Sequence, residues 1–341
     1  MRRYEKILLP FASIGISIVI GAIIIWICGY DPIKAYGAML KGSFGSLNYA
    51  LNTLEKCVPL ILCGLGAAVA MKTGMFNIGA EGQLFVGALG FALGGIYFGF
   101  LAGPIQMFFC IILGILFGSV WAFLPAYLKI RFGANEVVTS IMFNYIAKLL
   151  NSYLVTGPLK AVGQVPQTEL INGAVRIREI VNGGKLTWGF VIAISICVII
   201  WVLFNRTTTG YSITAAGINP RAAEAGGIKP NTVRIGAMLL SGALAGLAGC
   251  LLVASVFGRL VEVVSNGYGF DGIAIAVLGQ FSPIGVFLSS ILFGTLHTGS
   301  LYMEMFVGIP SEIISVLQGV MILIIASPLI IKRWFRREGS L

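Results

Sequence analysis

The sequence predicts an all-α, polytopic membrane protein with about ten transmembrane helices, and three observations support this fold class. Of its 341 residues, 57% are hydrophobic and only 11% are charged, whereas soluble domains are usually about 25% charged. The mean hydropathy is +0.95. Several apolar runs are long enough to cross roughly 30 Å of hydrocarbon. A soluble chain of this length cannot cover so much apolar surface, so lipid must solvate part of it.

The apolar runs follow one another with polar or glycine-rich breaks between them. The first run is too long for a signal-peptide core and lacks a small-residue cleavage site, so we expect a retained span. The uncharged stretch from Gly82 to Leu128 exceeds one helix, and GFLAGP at 99–104 supplies a turn. Gln280-Phe281-Ser282-Pro283 divides a later run in the same way. The approximate predicted spans are 7–29, 57–75, 82–100, 104–128, 136–156, 187–204, 235–255, 263–281, 283–303 and 312–331.

Ten spans place both termini on the same side of the membrane, and the positive-inside rule selects that side. Lysine and arginine near the span ends are more numerous in the segments that become internal if both termini are cytoplasmic. We therefore expect a single transmembrane domain, 1–341, in a cytoplasmic membrane, with both termini cytoplasmic. Its longest external loop is 157–186, which could hold a small hairpin or a short helix, and its longest cytoplasmic loop is 205–234.

The cytoplasmic loop carries the sequence pattern of a short capped helix. Asn219 is a favourable N-cap and Pro220 suits the first helical position. The residues that follow favour helix, and Gly226-Gly227 ends it. A helix of one to two turns is predicted on the cytoplasmic face.

The residue inventory argues against enzymatic chemistry and nucleic-acid binding. The net charge of +10 is scattered between apolar runs and forms no basic stripe. One histidine, His297, cannot build a metal or catalytic cluster, and we expect it to be a packing residue. No nucleophile triad, carboxylate pair or phosphate-binding GxxxxGK[ST] motif occurs. We predict no catalytic residue, metal or cofactor, and cysteines that act as small packing residues: Cys28, Cys57, Cys63, Cys110, Cys197 and Cys250.

The stretch KTGMFNIGAEGQ, residues 72–83, is a glycine-rich polar break between two apolar runs. An ionised Glu81 at mid-bilayer would cost at least roughly 2.5–3.5 kcal/mol, so it must lie near an interface or be paired. The span pattern puts it near the cytoplasmic end of the third span, with Lys72 as a partner. Two roles remain open for Glu81, Asn77 and Gln83: ordering the broken helix, or lining a substrate path.

A second break, NGYGFDGIAIAVLG, mirrors the first. A lone acid, Glu81 or Asp271, precedes an apolar run in each, and a proline-led span follows. This arrangement predicts an inverted repeat with a substrate path at its interface. Phe76, Phe143 and Phe270 flank the polar positions and either stack on a substrate or pack. Asn144 and Lys148 are four residues apart on one face of the fifth span.

Four motifs then occur in a fixed order: GMFNIGAEGQLFVGALG, ANEVVTSIMFNYIA, GYSITAAGINPRAAEAGGI and NGYGFDGIAIAVLG. Over nearly the whole chain, the sequence closely resembles the permeases of bacterial ABC importers of the ribose and nucleoside class. The NIGAEGQ and FDGIAIA segments look most like the corresponding segments of the nucleoside permeases. The ribose permeases tend to carry a DLSVG-type stretch at the first site, from which this sequence departs.

The resemblance implies partners and site residues. ATP hydrolysis would belong to separate cytoplasmic ATPase subunits, a second, related permease would complete the path, and an extracellular lipoprotein would bind the substrate. Membrane lipid would surround the complex. The implied ATPase-coupling residues are Gly217, Asn219, Pro220, Ala222, Ala223 and Glu224. The expected substrate-path residues are Phe76, Asn77, Glu81, Gln83, Phe143, Asn144, Phe270 and Asp271.

Three alternatives stay open. A simple-sugar importer permease, ribose-like, would share the fold and partners. An ion-coupled secondary transporter or a channel would also show broken helices and lone acids, but neither has a use for the short cytoplasmic helix.

Overall fold

In the computed structural model, the described residues are 5–181, 183–310, 313, 315, 316, 319 and 320. Within this part of the chain the protein is helical, with two isolated β-bridges in place of any sheet. The helices are α1 (Glu5–Ile27), α2 (Pro32–Phe44), α3 (Leu47–Lys72), α4 (Ala80–Tyr97), α5 (Gly103–Phe132), α6 (Glu136–Thr156), α7 (Trp188–Arg206), α8 (Thr208–Ile218), α9 (Pro220–Ala225), α10 (Pro230–Leu251), α11 (Tyr268–Leu278) and α12 (Pro283–Val307).

Helices α3, α4 and α10 form the centre of the bundle, and nearly every residue of α4 from Ala80 to Gly95 is buried. The most apolar windows of α3 and α10 are each 83% buried, whereas those of α5 and α7 are 22% and 17% buried. The outer helices therefore present apolar side chains to lipid or to a partner, as expected for a membrane-embedded protein. α5 crosses α10 through glycines, since a Cβ on Gly118 would overlap the carbonyl oxygen of Gly242. Small residues at such crossings let two membrane helices approach closely.

Five helical segments are long and apolar enough to cross a membrane: α3, α5, α7, α12 and α10 together with its π-helical continuation Leu252–Phe257. The pair formed by residues 15–27 and α2 is bent by 120° and would make a sixth. α4 has 18 residues, about 27 Å at the helical rise. The structure thus shows a multi-pass helical membrane protein. The predicted span 312–331 lies largely outside the described residues.

One predicted span is wrong as drawn. Residues 263–281 hold only the 11-residue helix α11, about 16 Å long and half of the hydrocarbon thickness. The chain before it is not helical, and Gly267 has a φ of +91° that favours glycine. The helix α2 was not predicted at all, because charged residues interrupt its apolar pattern.

The predicted turns are confirmed. α4 ends at Tyr97 and α5 begins at Gly103, which brackets the GFLAGP turn. Gln280 and Phe281 both have positive φ, 51° and 56°, in the turn that joins α11 to α12.

The loop 157–186 is ordered against the segment that follows α10. The Ile171 N–H donates to the Gly258 carbonyl at 3.0 Å, and the Thr168 N–H donates to the Leu260 carbonyl at 2.9 Å. The loop contains one 3-10 turn, Gly173–Val175. Its backbone therefore covers the end of the bundle where α4 ends and α5 and α7 begin.

Candidate functional site

The first break packs against the interior of α10 rather than against its first turn. The Asn77 side chain donates to the Ser241 hydroxyl at 2.8 Å. Ser241 follows Pro230, the first residue of α10, by eleven residues, or about 16 Å along the helix axis. Glu81 lies in the first turn of α4, and its expected place near the cytoplasmic end of the third span stays a prediction.

Buried amide side chains satisfy the backbone of this break. Asn77 and Gln83 exchange two side-chain hydrogen bonds of 2.9 and 3.0 Å, and the Asn77 oxygen also accepts the Gly79 N–H at 3.0 Å. Asn144 of α6 accepts the Gly82 N–H at 2.8 Å and donates to the Ile78 carbonyl at 2.9 Å. Broken helices survive inside a membrane only when freed backbone groups find such partners.

Glu81 joins the two glycine-rich breaks. Its carboxylate accepts the N–H groups of Gly267 at 3.2 Å and Gly269 at 2.7 Å. These amides open α11, whose N-cap residue is Gly267 and has no side-chain cap of its own. A negative charge at a helix N-terminus is electrostatically favourable. The predicted partner Lys72 is wrong, because its ammonium lies 4.0 Å from the Phe204 ring centroid. We call the contact between the Glu81 carboxylate and the N–H groups of Gly267 and Gly269 the α4–α11 junction.

Asp271 pairs with the histidine expected to be a packing residue. The His297 ring nitrogen lies 2.6 Å from an Asp271 carboxylate oxygen, and the His297 ring is 5.2 Å from the Tyr268 ring. The sequence offered one signal for this pair: a lone histidine downstream of a lone acid within the apolar segments.

The three phenylalanines fall into two groups. Phe76 and Phe270 are 49% and 45% exposed, so both are free to contact a substrate or a partner. Phe143 packs edge-on against Trp121, with ring centroids 5.5 Å apart. On α6, Asn144 is buried whereas Lys148 is exposed, so the two residues do not act together.

The predicted short capped helix is confirmed as α9, with Asn219 as its cap, and its cytoplasmic location stays a prediction. The Asn219 oxygen accepts the Ala222 N–H at 3.1 Å. Ala222 and Glu224 are exposed on α9, but Ala223 is only 5% exposed. Ala223 therefore packs against the protein's own surface, whereas Ala222 and Glu224 are available to a partner.

Gly217, which the resemblance implies to be a coupling residue, does not have a positive φ. A Cβ on Gly217 would overlap the carbonyl oxygen of Lys72. This glycine is needed for close packing of α8 on the end of α3.

A cavity that the sequence did not reveal lies at the opposite end of α7 from the α8–α9 segment. It has a volume of about 410 Å³ and is lined by residues of α3, the 157–186 loop, the π-helical segment and the chain before α11. Glu55 is at its wall, where its carboxylate accepts the Thr187 N–H at 2.8 Å and the Thr187 hydroxyl at 2.9 Å. We call this space the loop-side cavity.

The described residues form a helical membrane bundle in which α4 and α11 begin at glycine-rich breaks and meet through Glu81, with a capped surface helix at one end; this architecture suits a transport permease. The chain belongs to the family described as "Branched-chain amino acid transport system / permease component", whose model matches residues 49–326. This family accounts for the absence of catalytic motifs: the protein is a permease and not an enzyme.

Named relatives agree with this assignment. The chain is 34% identical to the guanosine ABC transporter permease protein NupP of Bacillus subtilis, covering 96% of this chain and 95% of that one. It is 35% identical to the nucleoside ABC transporter permease protein NupB of Lactococcus lactis, covering 96% and 93%. It is also 31% identical to the glucose ABC transporter permease protein TsgB13 of Haloferax volcanii, covering 97% and 91%. The resemblance to ABC transporter permeases is therefore confirmed.

Proposed function

We propose that this protein is one permease subunit of an ATP-driven importer and forms part of the path for a nucleoside. The observation that carries the proposal is the identity of 34–35% to guanosine and nucleoside permeases over 96% of the chain. ATP hydrolysis is assigned to separate cytoplasmic ATPase subunits. A second, related permease completes the path, and an extracellular lipoprotein delivers the substrate.

The proposed arrangement in the membrane has ten crossings, some through broken helices, with both termini cytoplasmic. The charge bias of the sequence supports the orientation, and the five candidate spans and the bent pair supply up to six of the proposed crossings. In this arrangement α9 is cytoplasmic and the 157–186 loop is extracellular.

An inverted repeat is part of the proposal. Its support is that α4 and α11 both begin after glycine-containing breaks and touch through Glu81. A longer helix follows each of them after a short turn. The two half-helices then meet where the repeat would place the substrate path.

Within that path we assign different roles to the candidate residues. Asn77, Gln83 and Asn144 order the first break, since their amide groups are engaged by backbone and by one another. Glu81 holds the α4–α11 junction. Phe143 packs against Trp121. The side chains that face the path are those of Phe76, Phe270 and Asp271.

We assign α9 to docking in the ATPase. The exposed side chains of Ala222 and Glu224 form the docking surface, with Asn219 and Pro220 shaping the helix, while Ala223 and Gly217 fix it on the permease.

The experiment is uptake by proteoliposomes that contain the reconstituted complex: this chain, its partner permease, the ATPase and the binding protein. ATP-dependent accumulation of radiolabelled guanosine and uridine is expected, with no accumulation when a non-hydrolysable ATP analogue is enclosed. Accumulation driven by an ion gradient without ATP would identify a secondary transporter instead.

A simple sugar is the second candidate, favoured by the 31% identity to the glucose permease. The same vesicles decide between them. ATP-dependent uptake of glucose or ribose, without uptake of nucleosides, would replace the nucleoside proposal.

A further inference from the structure

We propose that the loop-side cavity is a nucleoside-binding site contained within this single permease, beside the junction that closes the path. The proposal rests on the proposed function, because the nucleoside class of substrate comes from there.

The size of the cavity suits the ligand. Its volume of about 410 Å³ falls in the range of about 300–1,000 Å³ that is typical of small-molecule sites. It lies between helices of one chain and under an ordered loop, so a partner subunit is not needed to form it. The loop is held there by backbone hydrogen bonds to residues 258–260.

The polar groups of the cavity are available to a ligand. Lys56, Arg176 and Lys185 line it, and among the described residues none of these three cations makes an ion pair. The buried hydroxyl of Ser255 also lines it and has no hydrogen-bond partner within the described part of the chain. Buried polar groups without protein partners are expected to be satisfied by a ligand or by water.

The chemistry of these groups fits a nucleoside. An arginine guanidinium matches the two acceptors on the edge of a guanine ring, O6 and N7, and Arg176 is placed on the cavity wall. The Ser255 hydroxyl and the Glu179 carboxylate provide partners for ribose hydroxyls. Phe257 and Tyr268 add aromatic rings to the lining, on which a base can stack.

The cavity reaches the α4–α11 junction. Tyr268, the first residue of α11, lines the cavity, and its hydroxyl oxygen accepts a long hydrogen bond of 3.5 Å from the Lys56 ammonium. Its two neighbours, Gly267 and Gly269, are the residues whose N–H groups Glu81 holds. A nucleoside in the cavity therefore contacts Tyr268, which lies between the two amides that Glu81 accepts from. Binding in the cavity is thereby coupled to the α4–α11 junction.

The test is equilibrium binding of radiolabelled guanosine to the complex of both permeases and the ATPase in nanodiscs, with the binding protein omitted. Arg176→Gln removes the proposed base contact, and Ser255→Leu fills the cavity. Arg178→Gln is the matched control, because Arg178 is an exposed residue of the same loop and does not line the cavity. Size-exclusion chromatography of each complex identifies any variant that fails to assemble, and Arg176→Gln changes only an exposed side chain.

We expect Arg176→Gln to weaken guanosine binding about tenfold or more, as for the loss of a bidentate base contact, and Arg178→Gln to leave it unchanged. Equal binding by the two arginine variants would overturn the site, as would an absence of binding to the unmodified complex. Stronger displacement by guanosine monophosphate than by guanosine would show a general anion site and also overturn it. ATP-dependent nucleoside uptake by the complete complex in proteoliposomes, with the binding protein present, separates the two ideas, since uptake that persists without cavity binding leaves the proposed function standing.

Discussion

The carboxylate of Glu81 holds the start of α11, and replacing it with alanine should loosen that helix end. The substitution Glu81→Ala removes the acceptor of two N–H groups, those of Gly267 and Gly269. Glu81 is only 8% exposed, so water cannot readily take its place. An orphaned buried donor costs about 1–3 kcal/mol. Two donors, partly relieved by relaxation of a helix end, give about 2–4 kcal/mol.

Hydrogen exchange measures this change directly, because amides at a helix end exchange through local opening. A loss of 2–4 kcal/mol corresponds to exchange faster by about 30- to 900-fold, at 1.36 kcal/mol per factor of ten. Mass spectrometry of a peptide that covers residues 266–271 reports these amides in the assembled complex. Glu304→Ala serves as the control, since Glu304 is exposed near the end of α12.

The reasoning would be refuted if the 266–271 peptide of Glu81→Ala exchanged at a rate within about threefold of its rate in the unmodified protein. The carboxylate would then not be the cap of α11. In the expected case, uptake falls together with protection, while the exchange of peptides from α7 stays unchanged.

Three further predictions concern coupling, orientation and packing. Ala222→Trp should abolish substrate-stimulated ATP hydrolysis and uptake while the isolated permease keeps its thermal stability, because Ala222 is exposed; full coupled transport in proteoliposomes would remove α9 from the coupling role. Cysteines placed at Arg221 and Gln167 should label from opposite sides of sealed vesicles, and labelling from the same side would contradict the topology. Gly246→Leu should prevent recovery of folded protein, since even a Cβ at Gly246 would lie 2.5 Å from the Gly114 carbonyl oxygen; recovery of a monodisperse complex with unchanged melting temperature would contradict this packing.

The helices that are continuous and apolar were predictable from the sequence. The fifth and sixth predicted spans, 136–156 and 187–204, agree closely with α6 and α7. The cap and stop signals of α9 were also sufficient, because Asn219, Pro220 and the glycine pair act on their immediate neighbours. Local patterns determine local structure in these segments.

The position of the breaks relative to the other helices was not predictable, because hydropathy records how apolar a segment is and not where its backbone turns. The chain re-enters the bundle after Lys72, and this depends on the contact of Asn77 with Ser241, 164 positions away. The partner of Glu81 was missed for the same reason. A side-chain partner was expected, whereas the real partners are backbone N–H groups, which every residue except proline carries.

The contact of Gly217 with the end of α3 has a mechanical consequence. The Gly217 backbone rests directly on the Lys72 carbonyl, and Gly217 is two residues before Asn219, the cap of α9. Lys72 in turn precedes the amide-braced break by only a few residues. Because these backbones are in direct contact, α8 cannot move toward α3 without displacing the chain that leads to Asn77. A force applied to α9 would thus be transmitted through α8 and the Lys72 backbone to the break at Asn77 inside the bundle.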